Sequence, residues 1–508
     1  MPALPEGLVL KGVSVEPRGR SIVAARVFQP GEIIATFNSP SIAIPDSPHL
    51  STTCSGCLLP ATPGSDPPSA SQPARAVRAC TGCRTVAYCS PACQRLDWAT
   101  GGHKAECKIF KRVRAEGHDF LPTPVRALVQ VLLRPEMGAA MGELEGHVDK
   151  FRRKSDKLWA DMELQAMAAL HYLGRETNAK SLAEAIEILC KSQVNSFNRL
   201  DEDIEQTGLF MNPALAMVNH SCIPNAFVQF VGRKAVLHAY QEIGKDEEIE
   251  ISYIVPDVQK LPDSHTPDPL SSNESLNATV EEIYSWCSNP LLGLSESDKR
   301  KQLHRRWAAC KPLRDSRTSA YAIEPLPRVL AEASIHFGEQ GNFAYSLCIS
   351  SFLATNVDPY KAAAPFAPQR VKGLLMIAKL LANTAPANPD ASTGSSKALT
   401  STKSLRGVIS EALGKMDQAT MCQILLELVV YHAPAAHSKE WSVFREAKEL
   451  LGDLEALQGR ETEEALVKAF MRNPNGAEEK LFFEQAIIGP LRELSAFCIN
   501  ILDSEFGS

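Results

Sequence analysis

Short apolar runs rich in β-branched residues form the first part of the chain. Residues 21–28 and 32–37 have this character, and Pro30 and Gly31 between them are typical of a turn. Residues 41–44 and 227–254 repeat the pattern, with a further turn at Gly232. Because each run has the length of a strand, two separated stretches of the chain are predicted to be β-rich.

Apolar residues recur at helical spacing between and after these β regions. Residues 124–133, 156–173 and 181–198 show it, and beyond about residue 320 nearly the whole chain does, up to a last predicted helix at 477–503. Stretches rich in Pro, Ser and Ala or in polar residues, at 60–77, 256–278 and 385–404, are predicted to be surface loops. Successive helices with short loops are typical of an antiparallel helical array. The pattern therefore predicts an α+β chain, in which a β-rich core precedes an all-α C-terminal domain.

Composition supports a folded chain of several domains. The 508 residues are 44% hydrophobic and 22% charged, and at about 150 residues per domain they predict about three domains. Lys plus Arg is 53 and Asp plus Glu is 59, so the net charge of −6 argues against gripping nucleic acid by charge alone. The sequence has no apolar run of the ~18–20 residues that a membrane helix needs, and no N-terminal signal pattern. We therefore expect a protein of the nucleus, the cytoplasm or both, without a membrane partner.

The cysteines are concentrated in one short segment. Seven of the 14 lie between Cys54 and Cys107. In a reducing compartment such a cluster is typical of metal ligands rather than disulfides. The spacing gives four close pairs: Cys54 and Cys57, Cys80 and Cys83, Cys89 and Cys93, His103 and Cys107. Eight ligands are enough for two closed tetrahedral zinc sites, and metal binding then supplies on the order of 10 kcal/mol of folding free energy per site.

The residues around these pairs resemble the MYND zinc finger, through Tyr88-Cys89, Cys93-Gln94, Asp97-Trp98 and HKAEC at 103–107. In that family the ligand pairs interleave. The resemblance therefore implies one zinc on Cys54, Cys57, Cys89 and Cys93, and a second on Cys80, Cys83, His103 and Cys107. Two loops, at 60–77 and 100–102, are longer than the family pattern. Such fingers usually bind proline-containing peptides, which we expect here; a purely structural role is the alternative.

A second motif, NHSCIPNA at residues 219–226, lies just before the second β region. Together with Tyr253 downstream and with Arg18-Gly19-Arg20-Ser21 ahead of the first strands, it resembles the SET domain of protein lysine methyltransferases. A MYND finger inserted in a SET domain that precedes a helical half is the layout of the SET and MYND domain family. The resemblance implies SET segments at 8–50 and 201–256, which enclose the finger at 51–110 and a helical insert at 111–200. A linker with a degenerate post-SET region follows at 257–315, and a TPR-like helical domain at 316–508.

The same resemblance implies the residues of a methyl-transfer site. Its cofactor is S-adenosylmethionine, and its substrate is a lysine of a protein, histone or non-histone. Tyr253 matches the catalytic tyrosine, whose hydroxyl lies near the methyl group and the amine. The residues that match cofactor contacts are Arg18, Arg20, Asn195, Asn219 and His220. Ser21 stands where the family usually has a glycine, and a side chain there narrows the approach of the backbone to the cofactor.

The stretch after the core departs from the family pattern. In the family, the NHSC cysteine and three later cysteines bind a third zinc, whereas here Cys310 is the one cysteine of the matching stretch, with Cys222 and Cys287 elsewhere. Three thiols do not complete a tetrahedral site, so no third zinc is predicted. The alternative function is then a SET and MYND scaffold without activity, which mediates protein–protein interactions. Direct DNA binding is disfavoured because residues 54–107 have no dense basic stripe, and we expect a monomer.

Overall fold

The computed structural model describes residues 4–11, 20–62, 75–201, 206–253, 291, 294–314, 321–362, 364–385, 405–474 and 476–507. The chain forms two compact units, Met1–Tyr253 and Ile254–Ser508. The first unit contains strands and helices, whereas the described part of the second unit contains helices. The predicted α+β class, a β-rich core followed by a helical domain, is confirmed.

The strands of the first unit are short, and β-branched and aromatic residues fill many of their buried positions. Those described are β1 (Leu8–Lys11), β2 (Ser21–Ala24), β3 (Ile33–Phe37), β4 (Ile42–Pro45), β5 (Arg78–Ala79), β6 (Ala87–Tyr88), β7 (Phe197–Leu200), β8 (Gln206–Met211), β9 (Asn219–His220), β10 (Ala226–Val231), β11 (Lys234–Ala239) and β12 (Glu250–Ile251).

Pairing between strands that are distant in sequence builds the core of this unit. β3 pairs antiparallel with β11, which forms a hairpin with β10. β4 pairs antiparallel with β8, which also pairs with β7. β9 and β12 form a short parallel pair, which needs a long connection rather than a tight turn. The N-terminal strands and those after residue 197 therefore share one core, in which Ile22, Phe28 and Leu237 are fully buried.

Helices fill the first unit between its two groups of strands. They are α1 (Pro91–Ala99), α2 (His103–Ala115), α3 (Thr123–Leu133), α4 (Pro135–Ala140), α5 (Val148–Lys154), α6 (Asp156–Leu173) and α7 (Ala179–Asn195). Apolar faces of α2, α3, α6 and α7 pack in one cluster with several of the finger cysteines, including Cys80 and Cys83. A capping box starts α7: the Asn178 side chain accepts from the Ser181 backbone, and the Ser181 hydroxyl accepts from the Asn178 backbone.

The described part of the second unit consists of helices around one apolar core that contains Trp307, Leu330 and Phe337. The helices are α8 (Glu296–Ala309), α9 (Lys311–Arg314), α10 (Leu326–Glu339), α11 (Phe343–Phe352), α12 (Asp358–Lys361), α13 (Pro368–Thr384), α14 (Leu405–Gly414), α15 (Gln418–Ala436), α16 (Ser442–Glu455), α17 (Glu461–Arg472), α18 (Ala477–Phe483), α19 (Gly489–Ser495) and α20 (Cys498–Phe506). By length and composition α15 is apolar enough to cross a membrane, but 56% of it is buried, as in the core helix of a folded domain.

Two predicted helices have different bounds in the structure. The helix predicted at 181–198 ends at Asn195, because Phe197 and the residues after it pair with β8 and gain strand hydrogen bonds there. The helix predicted at 477–503 is interrupted by a π-helical turn at Glu484–Ile488 and by a break before Cys498. Pro490 has no backbone N–H, so the hydrogen bond that an α-helix would make to Ala486 is missing.

Several predictions lie on residues that the structure does not describe. The predicted loop at 256–278 is wholly among them, as are residues 386–404 and residues 63–74 of the long loop between Cys57 and Cys80. Helices α4 and α5 were not predicted, because they are short and bury no complete apolar face.

Candidate functional site

The first cluster of potential metal ligands consists of the sulfurs of Cys54, Cys57, Cys89 and Cys93, which all lie within 4.8 Å of one another. The Sγ atoms of Cys57 and Cys89 are 3.7 Å apart, and those of Cys89 and Cys93 are 3.6 Å apart. Zinc–sulfur bonds of about 2.3 Å place the sulfurs of a regular tetrahedron about 3.8 Å apart. The four cysteines therefore fit one zinc ion.

Local backbone structure holds these four sulfurs together. The Leu58 amide donates to the Cys54 carbonyl at 2.8 Å and closes the first knuckle. On the other side, Ser90 caps α1 and its hydroxyl accepts from the Cys93 amide at 3.2 Å. Gly56 lies between the two halves, and a Cβ there would be 2.7 Å from the Cβ of Cys93. A side chain at this position would force the two knuckles apart.

The second cluster consists of Cys80, Cys83, His103 and Cys107, all of which are buried. The Nε2 atom of His103 is 3.4 Å from the Cys80 sulfur and 3.9 Å from the Cys83 sulfur. His103 is the first residue of α2, which Gly102 precedes in a left-handed conformation with φ of +85°. At Gly82, a Cβ would be 2.9 Å from the Cys107 sulfur. Three thiolates and one imidazole nitrogen are a standard zinc ligand set.

A buried hydrogen-bond network supports His103 from behind. Its Nδ1 atom is 3.4 Å from the Glu106 carboxylate, which accepts from Arg126 at 2.7 and 3.1 Å and from Gln130 at 3.1 Å. Burial alone would raise the pKa of Glu106, but Arg126 and His103 outweigh it and hold that pKa at about 2. The ionised carboxylate fixes the imidazole so that Nε2 faces the three sulfurs.

Two aromatic side chains complete the wall around His103. The rings of Tyr88 and Trp98 meet the imidazole edge-on, at centroid distances of 5.7 and 5.9 Å. The Tyr88 hydroxyl donates to the Asp97 carboxylate at 2.7 Å, and burial raises the pKa of this phenol so that it stays a donor. The four ligands of the second cluster are thus buried, and His103 packs against both rings.

Side-chain amides hold the NHSCIPN segment in place in the core, apart from the two metal clusters. The Asn225 amide donates to the Glu248 carbonyl and its oxygen accepts from the Glu250 amide, both at 2.8 Å. The Asn219 amide donates to the Arg20 carbonyl at 3.1 Å and to the Glu248 carboxylate at 2.8 Å. These contacts align β9 beside β12 in parallel and attach both to the start of β2.

Tyr253 follows β12 and lies against β9. Its backbone amide donates to the Nδ1 atom of His220 at 3.0 Å, and the two rings are 5.2 Å apart. Its hydroxyl donates to the Val218 carbonyl at 2.5 Å. Burial raises the pKa of this phenol, although 54% of the residue is exposed. The result is a fixed, protonated hydroxyl beside the Asn219–His220 strand.

Arg20 and Asn195 converge on one loop. The guanidinium of Arg20 donates to the Glu143 carbonyl at 2.7 Å, and the Asn195 amide donates to the Glu145 carbonyl at 2.8 Å. A cavity of about 530 Å³ lies at this loop, lined by residues 142–146 and by Val148, Ala183, Glu187 and Lys191. Tyr253 thus contacts His220, whose neighbour Asn219 bonds Arg20, and Arg20 meets the same loop as Asn195. Arg18 lies outside the described residues.

The remaining sequence features lie apart from these clusters or outside the described residues. Ser21 starts β2 opposite Lys11 and is half-buried. Cys222 is exposed, Cys310 is buried in the helical unit, and Cys287 belongs to the part of the chain that is not described. Within the described ranges, the groups of side chains that could hold a metal ion are the two finger clusters.

Sequence reasoning did not identify several groups that complete these sites. Glu106 stands in the HKAEC motif, one helical turn after His103, and this spacing was the available signal. Arg126 and Gln130 lie on α3, and their spacing of four residues gives no hint that they point at the finger. The loop at 142–146 has no motif, so only the fold shows that it meets Arg20 and Asn195.

Known proteins are similar in sequence to the part of the chain that contains these sites. The SET domain family matches residues 19–254. The histone-lysine N-methyltransferase ASHR1 of Arabidopsis thaliana is 29% identical over 257 residues, 48% of this chain and 49% of that protein. The SET domain and MYND-type zinc finger protein 6 of Schizosaccharomyces pombe is 31% identical over 237 residues, 46% of this chain and 44% of that protein. The chain spans about half the length of the curated relatives it matches.

The similarity extends to animal proteins. The histone-lysine N-methyltransferase SMYD3 of Homo sapiens is 27% identical over 262 residues, 49% of this chain and 56% of that protein. Among solved structures, the SET domain of LSMT bound to lysine and AdoHcy aligns over 94% of this chain and 93% of that one at 10% identity. Its TM-score is 0.21.

Proposed function

We propose that the chain belongs to the SET and MYND domain family and that it is an S-adenosylmethionine-dependent protein-lysine N-methyltransferase whose finger holds two zinc ions. The observation that carries the proposal is the position of Tyr253. Its hydroxyl and ring are fixed against the Asn219–His220 strand, which in turn binds the backbone of Arg20. Relatives named as lysine methyltransferases support the same reaction class.

The charges around the cavity at residues 142–146 suit the proposed cofactor. S-adenosylmethionine carries a sulfonium, an ammonium and a carboxylate. The cavity is lined by the carboxylates of Glu143, Glu145 and Glu187, which suit the cationic groups, and by Lys191, which suits the anionic one. Glu143 also pairs with Arg20 at 3.4 Å, and Glu187 pairs with Lys191 at 2.9 Å. Arg20 and Asn195 bind the backbone of the same loop. The lining of this cavity does not include Arg20, Asn195, Asn219 or His220. By the resemblance, we propose that these four residues hold the cofactor together with Arg18.

The chemistry that the cofactor supplies is an electrophilic methyl group on a positively charged sulfur. The attacking lysine amine must be neutral, and it must approach along the carbon–sulfur axis. The Tyr253 hydroxyl donates its proton to the Val218 carbonyl, so the phenol oxygen keeps lone pairs that accept an N–H of the amine. Since burial raises the pKa of Tyr253, the hydroxyl stays protonated and holds this geometry at neutral pH.

The finger and the location of the protein belong to the same proposal. We propose that the finger docks proline-containing peptides, because Leu96 and Trp98 on α1 leave 57% and 42% of their surfaces exposed, and Trp98 packs against His103 of the second cluster. We also propose a monomer in the nucleus, the cytoplasm or both. Reduced cysteines in close pairs are the feature that supports an intracellular location.

The test is methyl transfer from labelled S-adenosylmethionine to histones or to proteins of a cell extract. We expect label on lysine, and a loss on the order of 10²-fold in Tyr253→Phe, because that change removes one positioned hydroxyl from the site. The matched control is Tyr431→Phe, since Tyr431 is 64% exposed in the helical unit. Losing the hydrogen bond to Val218 costs about 1 kcal/mol of stability, so a melting curve separates unfolding from lost catalysis. The proposal would be wrong if the wild-type protein transferred no label and Tyr253→Phe gave the same result as the wild type.

The alternative is a scaffold without activity. The exposed thiol of Cys222 favours it, because the family uses this cysteine as a ligand of a third zinc and only Cys310 remains in the matching later stretch. A zinc-loaded protein that binds partners but not S-adenosylmethionine would establish the scaffold instead.

A further inference from the structure

The turn of the β10–β11 hairpin lies directly against the first metal cluster. Gly232 has a φ of +57°, a left-handed conformation that favours glycine. A Cβ at Gly232 would lie 2.9 Å from the Cys57 carbonyl oxygen, so there is no room for a side chain between the turn and the knuckle. The core and the finger therefore touch through backbone at this point.

The next residue, Arg233, inserts its guanidinium between core and finger. Its Nη1 atom donates to the carbonyls of Ala43 at 3.3 Å, Ser55 at 3.3 Å and Gly56 at 3.4 Å. The first carbonyl belongs to β4, and the other two lie between Cys54 and Cys57. The side chain is mostly buried, and its charge interacts with the Asp97 carboxylate as well as with the thiols of Cys57 and Cys54.

A second arginine supports the turn from the opposite side. Arg199 on β7 is 3% exposed and donates to the Gly232 carbonyl at 3.2 Å and to the Thr207 hydroxyl at 2.9 Å. Arg199 thus fixes the backbone of the turn, and this places Arg233 at a defined position against the knuckle.

The charge of the first cluster explains why a cation belongs there. A zinc ion with four thiolates has a net charge of 2 − 4 = −2, whereas the second cluster, with three thiolates and a neutral imidazole, has 2 − 3 = −1. Cys54 is buried and the other three ligands are half-buried, so part of this charge is withdrawn from water and is stabilised by a group of opposite sign. The Arg233 guanidinium donates directly to the backbone of the more negative cluster, and the Arg199 guanidinium interacts with Cys57 electrostatically.

We propose that Arg233 is a positioning residue for zinc: it compensates the charge of the Cys54–Cys57–Cys89–Cys93 cluster and ties its knuckle to the core hairpin. Each six-residue strand of that hairpin spans about 20 Å. Its far end starts next to Asn225, whose amide aligns the segment before Tyr253. Zinc retention at the first cluster and order at the candidate methyl-transfer site therefore depend on one hairpin.

The test measures metal release from the full chain and does not depend on methyl transfer. Cobalt replaces zinc, because a site of four thiolates and a site of three thiolates and one imidazole then absorb at different visible wavelengths, and release to a chelator is followed at each site. We expect Arg233→Met to release metal from the first site about 10- to 100-fold faster, with the second site unchanged. Arg233→Lys keeps the charge but loses the planar fork, so its rate should fall between those of the wild type and Arg233→Met.

The matched control is Arg95→Met, which removes the same charge from an exposed position on α1, two residues from Cys93. Water screens that charge, so we expect the wild-type rate. Hydrogen exchange of residues 226–239 should also accelerate in Arg233→Met and not in Arg95→Met. The proposal is overturned if the first site of Arg233→Met and Arg233→Lys keeps the wild-type rate, or if both sites accelerate equally in both variants.

Discussion

The zinc finger and the candidate methyl-transfer site place their side chains by different means. In the finger, eight ligands from residues 54–107 surround two points, and backbone turns bring them within reach of a metal. In the core, segments around residues 20, 195, 219 and 253 meet through amide hydrogen bonds of Asn195, Asn219 and Asn225. The ligands of the finger are close in sequence, and we expect its order to depend on bound metal. The residues of the core site are far apart in sequence, and hydrogen bonds within the protein hold them together.

The difference also appears in burial. Every ligand of the second cluster is buried, and so are Glu106 and Arg126 behind His103. In the core site, Tyr253 is 54% exposed and Asn219 and His220 are half-buried. A structural metal site gains from being closed to water, while a site that accepts a cofactor and a lysine must remain open to them.

Removal of both zinc ions with a strong chelator should have the largest effect. Each structural zinc supplies on the order of 10 kcal/mol of folding free energy, so the finger should unfold without metal. We expect loss of hydrogen-exchange protection in α2, while β8 in the core keeps its protection. Equal protection of α2 with and without zinc would contradict the comparison, and adding zinc back is the control.

Loss of the buried Glu106 charge behind the second cluster should have the second-largest effect on stability. Glu106→Gln leaves Arg126 buried without its carboxylate, which costs about 3 to 5 kcal/mol. The control Glu116→Gln removes an exposed carboxylate that pairs with His171 at 3.3 Å, and it should cost less than about 1 kcal/mol. Urea denaturation of the zinc-loaded proteins measures both changes. Similar values for the two variants would show that the network behind His103 adds no stability.

Loss of a single amide in the core should have the smallest effect. Asn225→Ala leaves the Glu250 amide and the Glu248 carbonyl without their partner, which costs about 1 to 3 kcal/mol. Asn198→Ala, at an exposed position of β7, should stay within about 0.5 kcal/mol. The same denaturation experiment compares them. If Asn225→Ala lowers the unfolding free energy as much as Glu106→Gln does, the expected order of the two effects is wrong. The core site would then depend on its side-chain amide as strongly as the finger depends on its buried carboxylate.

The sequence predicts the finger better than it predicts the core site, for a physical reason. Two ligands of one knuckle must be close in sequence, so spacing alone reveals pairs such as Cys80 and Cys83. The contact between Asn195 and the loop at residue 145 has no such constraint, because folding brings the two segments together over 50 residues. Motif resemblance, rather than spacing, pointed to Asn195.

Helix prediction shows the same limit. The pattern at 156–173 matches α6 at both ends, because Ser155 caps its start and Gly174 ends it in a left-handed conformation. The pattern at 181–198 overruns α7 by three residues, since pairing with β8 is a tertiary effect that local spacing does not contain. Arg233 gives no signal at all in the sequence, because its role depends on which backbone carbonyls the fold places around it.

Calorimetric titration of the zinc-loaded full chain with S-adenosylmethionine tests most directly whether the core site binds the cofactor. We predict one saturable site, with at least roughly tenfold weaker binding in Asn219→Ala, because that amide joins β9 to the backbone of Arg20 and to Glu248. No binding to a protein that retains two zinc ions, or equal binding by Asn219→Ala, would contradict the assignment.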